Sequence, residues 1–177
     1  MSGRSRVWVA LGSNLGESKQ ILQKAWRRLG NEEALDSICL SSPYITEPVG
    51  MDSSNLFLNA VGILETTLPP ESLLVVLQQV EKEFGRSRKM VGKGYEDRLL
   101  DLDILYFDGC VLTSSKLVLP HPHIGERLFV LEPLVEIDPE HIDPANGLTA
   151  VAMHQKLLQQ MDAGIVAVQD IKRDTWA

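Results

Sequence analysis

The sequence predicts an α+β fold built as one domain, and two observations carry that prediction. The chain has 177 residues, of which 44% are hydrophobic and 23% are charged; this size and balance are typical of a single soluble domain. Apolar stretches with strand periodicity and with helical periodicity follow one another in the order strand, helix, strand, strand, helix, strand. This order is typical of a sheet with helices packed on it.

The first strand and the first helix are indicated by two different apolar periods. Val7, Val9 and Leu11 alternate with their neighbours and predict a strand, which the following Gly-Ser-Asn sequence ends. Apolar residues then recur at helical spacing and predict an amphipathic helix over residues 17–29, with Gly30 as its stop.

Two strands and a second helix come next. Residues 38–44 and 57–65 have strand composition, and the Pro, Gly and small polar residues between them predict an ordered loop at 47–54. The second helix begins near Pro70, which suits a first helical turn, and ends at Gly85.

The strand at residues 99–107 is the clearest in the sequence, and an Asp-Gly turn follows it. Beyond it we expect a short edge strand at 117–119, a helix that begins at 128–132 and meets Pro133, a helix at 148–161 and a strand at 165–168. The first six elements therefore predict a ferredoxin-like βαββαβ core, with an antiparallel sheet, helices packed on it and C-terminal additions. We expect residues 1–177 to form one domain.

The charge distribution separates one segment from the rest of the chain. The net charge is -7, which disfavours a general nucleic-acid binder because such proteins need a basic surface. Residues 86–98 nevertheless hold five basic and two acidic residues, a net charge of +3, so the remainder carries -10. We expect this glycine-containing segment to be a mobile basic loop.

Neither the cysteines nor the apolar stretches indicate secretion or a membrane. Cys39 and Cys110 are far apart and lack the spacing of a metal site or a disulfide framework. The apolar stretch near the amino terminus is too short for a signal-peptide core, and no window approaches the roughly 20 apolar residues of a membrane span. We therefore expect a cytoplasmic protein.

Asp101 and Asp103 are the first candidates for chemistry. Because strand side chains alternate, both carboxylates should project from one face, while Leu100, Leu102, Ile104 and Tyr106 fill the opposite face. Two adjacent carboxylates repel unless a cation neutralises them, and an oxygen-only ligand set favours Mg²⁺. The alternative is a pair of surface acids that point to water.

The basic loop lies directly before the acid pair in the sequence and favours a phosphate ligand for the site. Arg86, Arg88, Lys89, Lys93 and Arg98 next to a Mg²⁺ site would suit polyphosphate chemistry, since cations neutralise charge on a transferring group. Taken alone, these cations could simply complement the dipole at a helix carboxyl end. The Gly-containing sequence at 12–16 lacks the ending of a Walker motif, so a P-loop is excluded.

Three further residues could contact a ligand. His121 lies between two prolines and could donate to a phosphate, or it could be an ordinary loop histidine. Asn59 and Phe57 share a strand face and could hydrogen-bond and stack on a heterocycle, although core packing is the default role of Phe57.

These motifs, in this order and spacing, resemble the 6-hydroxymethyl-7,8-dihydropterin pyrophosphokinases of folate biosynthesis. The matching segments are residues 11–16, 44–50, 57–60, 85–88, 98–105, 120–123 and 127–134. The Arg-x-x-Asp-x-Asp-Ile-Leu block at 98–105 is the most specific of them.

The resemblance implies transfer of the β,γ-pyrophosphoryl group of ATP to the hydroxymethyl group of the pterin, with release of AMP. It implies that Asp101 and Asp103 hold two Mg²⁺ ions and that Arg86 and Arg98 are catalytic. The implied ATP-binding residues are Leu74, Gln78, Glu81, Arg88, Ile104, Lys116, His121 and Arg127. The implied pterin-binding residues are Phe57 and Phe129 as stacking rings, Asn59, and the loop backbone around Thr46 and Val49.

The sequence departs from the family pattern before the acid pair. Many relatives carry Trp-Gly-Pro-Arg where this chain has the slightly longer stretch Gly-Lys-Gly-Tyr-Glu-Asp-Arg at 92–98, so Tyr95 is a candidate substitute for the tryptophan. Phe57 stands where a tyrosine also occurs, and Lys116 stands where an arginine can occur, which replaces a bidentate fork with a point charge.

Two functions from different classes remain at this stage. The first is the pyrophosphokinase, which we expect to act as a stand-alone monomer without nucleic acid or membrane partners. The second is a non-catalytic ferredoxin-like ligand-binding domain, in which the two aspartates are surface acids and the basic loop docks a partner.

Overall fold

The computed structural model describes residues 3–49, 53–85 and 97–177. Their elements are β1 Ser5–Ser13, α1 Ser18–Gly30, β2 Leu35–Leu40, β3 Tyr44–Thr46, β4 Phe57–Thr66, α2 Pro70–Glu83, β5 Asp101–Phe107, β6 Leu112–Thr113, β7 Val118–Leu119, a 3-10 turn Ile124–Glu126, α3 Leu128–Ile137, α4 Ala150–Asp162 and β8 Ile171–Arg173. Among these residues, none of the helices has the length and hydropathy of a membrane span.

The central sheet is antiparallel and has the strand order that a ferredoxin-like core requires. Its path is β5-β1-β4-β3-β8, and β2 pairs with β4 beside β3. Each helix of the core therefore connects two strands that have a third strand between them, α1 across β4 and α2 across β1. The predicted fold class is confirmed.

The helices α1 and α2 cover one face of the sheet. Each presents a buried apolar stripe, Leu22, Ala25 and Leu29 from α1 and Leu73, Leu77 and Val80 from α2. These side chains pack on the β1 and β5 residues of the same face. Each fully buried aliphatic side chain contributes roughly 1.5–3 kcal/mol.

The helices α3 and α4 cover the opposite face and make a second core. Leu131 and Leu134 of α3 and Met153 and Leu157 of α4 are buried there, together with Trp8 of β1. The molecule therefore has three layers, helices, sheet and helices, and the C-terminal additions form the third layer. Pro133 does not interrupt α3, which is continuous to Ile137.

A bulge in β5 changes which residues share a face. Trp8 pairs with Tyr106 and Val9 with Ile104, so Leu105 is an extra residue opposite that step. Leu102 and Ile104 lie in the first core as expected, but Tyr106 lies in the second. The prediction that Tyr106 shares the face of Leu102 and Ile104 is wrong, because the bulge shifts the alternation by one residue.

Two predicted segments differ in the structure, and the short strand predicted near residue 118 is confirmed. The segment predicted as one strand at 38–44 is part of two strands, β2 and β3, separated by residues 41–43. The predicted strand at 165–168 is absent from the structure, and the closing strand is β8 at Ile171–Arg173. The short strand predicted at 117–119 is β7, which pairs with β6 in a separate two-stranded sheet.

Candidate active site

A cleft opens on the α3 side of the sheet, where β1, β4 and β5 meet the loops at one end. The empty space within it, including the part open to solvent, is about 730 Å³. Its lining brings together most of the residues predicted for the site. These are Thr46, Val49, Phe57, Asn59, Arg98, Asp101, Asp103, His121, Arg127 and Phe129.

The floor of the cleft is formed by small residues of β1. Gly12 pairs with Asp101 on one side and with Asn59 on the other, and Ala10 pairs with Asp103. A Cβ atom at Gly12 would lie 3.2 Å from Asn59 Oδ1 and 4.0 Å from Asp101 Cβ. The glycine therefore makes the space between the acid pair and the amide.

The acid pair projects into this cleft from β5, just before the bulge. Asp101 and Asp103 both line the cleft, whereas Leu102 between them is buried in the first core. Arg98 Nη1 lies 2.9 Å from Asp101 Oδ1, and their side chains are only 13% and 23% exposed. The half-buried ion pair partly neutralises the carboxylates and holds the guanidinium at the cleft wall.

A buried carboxylate of α2 supports the strand that carries the acid pair. Glu81 Oε1 accepts the backbone N–H of Leu102 at 2.8 Å, and Glu81 is only 6% exposed. Because β5 is an edge strand of the sheet in the described part of the chain, this N–H has no described strand to pair with on that side. Glu81 thus fixes the backbone between the two aspartates.

Asn14 and Asp97 hold the backbone of Arg98 in place. Asn14 accepts the Arg98 N–H through Oδ1 at 2.7 Å, and its own backbone N–H donates to the Arg98 carbonyl at 3.1 Å. Asp97 accepts from the Asn14 side chain at 2.6 Å, from Ser53 Oγ at 2.6 Å and from Asn55 Nδ2 at 2.8 Å. These bonds, led by that from Ser53, lower the pKa of Asp97 below its ordinary value.

His121 is held as a neutral donor at the edge of the cleft. Its backbone N–H donates to the Leu105 carbonyl at 2.9 Å, which places it beside β5. Burial, reinforced by the positive charge of Arg127, lowers the pKa of His121 to about 4. The His123 N–H donates to His121 Nδ1 at 3.2 Å, so the neutral ring carries its proton on Nε2.

An amide and aromatic rings line the other half of the cleft. Asn59 Nδ2 donates to Thr46 Oγ1 at 2.9 Å, and both residues are buried. Phe57 lines the cleft from β4 and Phe129 from α3, and the Arg127 guanidinium lies 5.6 Å from the centre of the Phe129 ring. Such groups can stack on a flat heterocycle and hydrogen-bond its edge.

Several predicted ATP-binding residues lie elsewhere in the described part of the chain. Ile104 is buried in the first core, Gln78 and Lys116 are exposed, and Leu74 is half-buried on α2. None of these four, nor Glu81, lines the cleft among the residues described. Arg86, Arg88, Lys89, Lys93 and Tyr95 lie outside the described residues, as does most of the predicted basic loop.

The acid pair fits a hard cation that shares its coordination with a substrate. The described residues contain no cluster of three or more His, Cys, Asp or Glu side chains placed to hold a metal ion. Asp101 and Asp103 offer only oxygen ligands, and they border an open cleft. Mg²⁺ is commonly held in this way, by one or two carboxylates with water and substrate phosphates.

Sequence reasoning missed Gly12, Asn14 and Asp97 as members of the site. Gly12 has a local signal, because it and Ala10 alternate with the large residues Val9 and Leu11 on β1. Asn14 and Asp97 are 83 residues apart in the chain, and no local pattern connects them.

The fold and the cleft together define a class of protein: a ferredoxin-like α+β protein whose acid pair, arginine and aromatic and amide groups suit phosphate-group transfer to a flat ring. Residues 8–139 match the family model described as 7,8-dihydro-6-hydroxymethylpterin-pyrophosphokinase. The chain belongs to this family.

Named relatives of similar length support the same assignment. The 2-amino-4-hydroxy-6-hydroxymethyldihydropteridine pyrophosphokinase of Bacillus subtilis is 41% identical over 131 residues, which is 74% of this chain and 77% of that protein. The protein of the same name from Porphyromonas gingivalis W83 is 40% identical over 134 residues, covering 75% of this chain and 90% of that protein. The family match and these relatives support pyrophosphokinase activity in folate biosynthesis.

In longer relatives, the region similar to this chain is only one part of the protein. It matches the folic acid synthesis protein fol1 of Pneumocystis carinii at 35% identity over 152 residues, 86% of this chain but only 20% of that protein. A crystal structure of Plasmodium falciparum HPPK-DHPS has a TM-score of 0.78 and 16% identity, and the match covers 98% of this chain and 49% of that one. At this identity the similarity shows the fold alone.

Proposed function

We propose that this chain transfers the β,γ-pyrophosphoryl group of ATP to the hydroxymethyl oxygen of 6-hydroxymethyl-7,8-dihydropterin and releases AMP. The pterin oxygen bonds to the β-phosphorus while the bond from that phosphorus to the α,β-bridging oxygen breaks. The bridging oxygen stays on the α-phosphorus and leaves with AMP, and the hydroxyl proton is released to solvent. One observation carries the proposal: Gly12 places the Asp101 carboxylate and the Asn59 amide on opposite sides of one open space.

The phosphate half of the proposal uses the acid pair and the cations around it. Asp101 and Asp103 would hold Mg²⁺, two ions in all, and Mg²⁺ supplies charge neutralisation on the phosphate oxygens and activation of the attacking hydroxyl. Arg98, with Arg86, would neutralise charge on the transferring group. His121 and Arg127, which line the cleft, would add contacts with ATP. The resemblance assigns the same role to Arg88, which is outside the described residues, and to five residues outside the lining of the described cleft: Leu74, Gln78, Glu81, Ile104 and Lys116.

The state of His121 supports its role toward phosphate. A neutral ring with its proton on Nε2 donates one hydrogen bond without adding a charge. Arg127 and Arg98 provide the fixed positive charges of the described cleft. Rate enhancement then comes from positioning and electrostatics, because no residue has to form a covalent bond to the substrate.

The pterin half of the proposal uses the amide and the rings. Phe57 and Phe129 would stack on the two faces of the pterin, and Asn59 would bind its edge together with the backbone at Thr46 and Val49. The hydrogen bond from Asn59 Nδ2 to Thr46 fixes the side-chain rotamer, which aims Oδ1 toward the floor at Gly12. A fixed amide discriminates a ring edge better than a mobile one.

We also propose a domain organisation, an oligomeric state and a cellular location for the protein. We place the activity in a single domain of residues 1–177 that works as a monomer in the cytoplasm and binds no nucleic acid. The net charge of -7 supports the last point. Sedimentation at micromolar concentration would test the monomer.

The activity is tested by its products. Incubation of the full chain with ATP, Mg²⁺ and 6-hydroxymethyl-7,8-dihydropterin should yield AMP and a pterin diphosphate in equal amounts, resolved by ion-exchange chromatography. Asp101→Ala and Asp103→Ala should each lower kcat by about 100-fold or more, since each removes a carboxylate from the charge-neutralising site. Both variants should keep the native circular dichroism spectrum.

Other products would contradict the proposal. ADP in place of AMP would indicate transfer of a single phosphoryl group, and a well-folded chain without turnover would indicate a ligand-binding domain. Asp162→Asn is the matched control, because Asp162 is exposed at the end of α4 and outside the lining of the cleft.

A further inference from the structure

The chain segment after α4 contacts both walls of the pterin half of the cleft. One wall is β3, whose Thr46 pairs with Ile171 of β8. The other wall is the start of α3, which carries Arg127 and Phe129. Residues 168–171 line the narrow space between Thr46 and Phe129 on the outer side of the cleft. This segment, the tail (residues 168–173), lies outside the residues that match the family model.

Gln169 of the tail makes two hydrogen bonds to the backbone at the start of α3. Its Oε1 accepts the N–H of Leu128 at 2.9 Å, and its Nε2 donates to the Glu126 carbonyl at 2.8 Å. The two bonded residues lie on either side of Arg127, and Leu128 directly precedes Phe129. An amide held at both of its polar atoms has a fixed orientation, so this stretch of backbone is fixed relative to the tail.

The bond to Leu128 replaces a helix cap that α3 lacks. The N-cap residue of α3 is Arg127, and its guanidinium has only donors, so it cannot accept a capping hydrogen bond. The first N–H groups of a helix have no partner within the helix and need an acceptor from elsewhere. Gln169 supplies that acceptor from a residue 41 positions away in the chain.

The tail is itself anchored to the other wall, so it cannot move with α3 alone. Beyond Gln169, three register pairs join β8 to β3, from Thr46 with Ile171 to Tyr44 with Arg173. Arg173 Nη2 also contacts Glu136 near the far end of α3 at 3.1 Å. Glu136 in turn accepts from Tyr44 Oη at 2.7 Å. The tail thus links β3 and α3 at both ends of the helix.

We propose that the tail sets the spacing between the two walls of the pterin site and that Gln169 is the positioning residue for Phe129 and Arg127. This inference rests on the proposed function for the identity of the flat ligand. A stacking ring contributes only when it lies at the correct distance from its partner ring, and a small shift at the start of α3 changes that distance.

Gln169→Ala tests the proposal, with Gln155→Ala as the matched control, since Gln155 is exposed on α4. Hydrogen exchange of residues 126–131 should become about 10-fold faster in Gln169→Ala, because the Leu128 amide loses its acceptor. The KM for the pterin should rise about 10-fold, and the KM for ATP by less than about threefold, because Phe129 is one of two rings whereas Arg127 is one of several cations. Gln155→Ala should match the unchanged chain in all three.

Gln169→Glu separates the two hydrogen bonds. The carboxylate still accepts from Leu128, where negative charge suits a helix amino terminus, but it cannot donate to Glu126. We expect the pterin KM of Gln169→Glu to lie between that of the unchanged chain and that of Gln169→Ala. The melting temperatures of both variants should stay within a few degrees of the unchanged chain, which excludes unfolding as the cause.

Three results would overturn the positioning role: unchanged exchange at 126–131, a pterin KM equal to that of Gln155→Ala, or equal rises in the two KM values. If the unchanged chain forms no AMP, the proposed function fails instead. In that case the pterin Kd, measured by fluorescence titration, takes the place of the pterin KM. The exchange rates and the Kd values of the same variants then decide the role of Gln169.

Discussion

At the scale of single residues, the site depends on side chains that hold other groups as much as on those that face the ligand. Asp101 and Asp103 could be found from the sequence, because the strand period of two holds as far as the bulge. Asn14 and Asp97 could not, since their contact joins two loops that are distant in the chain. A local pattern contains no information about such a contact.

The hydrogen bonds of Asp97 should matter for catalysis because they hold the backbone next to Arg98. Asp97→Asn should lower kcat/KM by about 5- to 20-fold, because an amide presents one acceptor where the carboxylate accepts from three donors, and Arg98 is the next residue. Steady-state kinetics against both substrates would measure the effect. Asp162→Asn is again the control, and equal kinetics of the two variants would show that the Asp97 contacts do not position Arg98.

At the scale of elements, the sequence predicted which segments are helices more successfully than it predicted the faces and ends of strands. The bulge in β5 falls in the run Leu105-Tyr106-Phe107, where every residue is apolar. Either alternation would bury this run, so the pattern cannot show the shift. The strand β8 has the sequence Ile-Lys-Arg, with two charged residues of three, and forms through pairing with β3. The apolar Ile165 and Val168 are instead more than 70% exposed.

The helix α1 packs closely on β4 where the Trp26 ring lies against Gly62, and this contact should contribute to stability. A Cβ atom at Gly62 would lie 2.4 Å from two ring atoms of Trp26, so the ring needs the glycine in order to pack on the sheet. Gly62→Ala should lower the free energy of unfolding by about 1–3 kcal/mol, measured by urea denaturation.

The controls for Gly62→Ala come from the same chain. Gly109→Ala adds a methyl group where nothing lies within 4 Å and should be nearly neutral. Combining Gly62→Ala with Trp26→Phe should recover part of the loss, because the smaller ring vacates the space. If Gly62→Ala is as stable as Gly109→Ala, the close packing of Trp26 on β4 does not limit stability.

At the scale of the whole molecule, the second layer of helices contains a buried titratable group. His141 lies between Trp8 and Tyr106, with ring-centre distances of 4.1 Å and 4.2 Å, and its buried Nε2 has no hydrogen-bond partner among the residues that the structure describes. Burial lowers the pKa of His141, and the nearby carboxylates of Asp138 and Asp143 only partly oppose that effect. His121 titrates in the same direction, with a pKa of about 4.

These two histidines predict how stability depends on pH. Both have folded-state pKa values below the unfolded value of about 6.5, so the unfolded chain binds more protons as the pH falls through that value. The free energy of unfolding should therefore decrease from pH 7 to pH 5. The pKa values of the Asp97, Glu136 and Asp174 carboxyls are lowered, so these groups reduce stability only at lower pH, below the ordinary pKa of a carboxyl.

His141→Phe isolates one contribution to this slope. The ring keeps its place between the two aromatic side chains and no longer takes up a proton, so the decrease from pH 7 to pH 5 should become smaller. Urea denaturation at three pH values would measure it. An unchanged slope would mean that His141 titrates equally in the folded and unfolded chains.

The glycine floor of the cleft has a consequence for inhibition. A compound that fills the space over Gly12 would contact main chain, which no substitution elsewhere can remove. A substitution that fills this space adds a carbon at position 12, and that carbon would meet Asn59 Oδ1 at 3.2 Å. The same change would displace the amide assigned to the natural ligand, so escape from such a compound would carry its own loss of fitness.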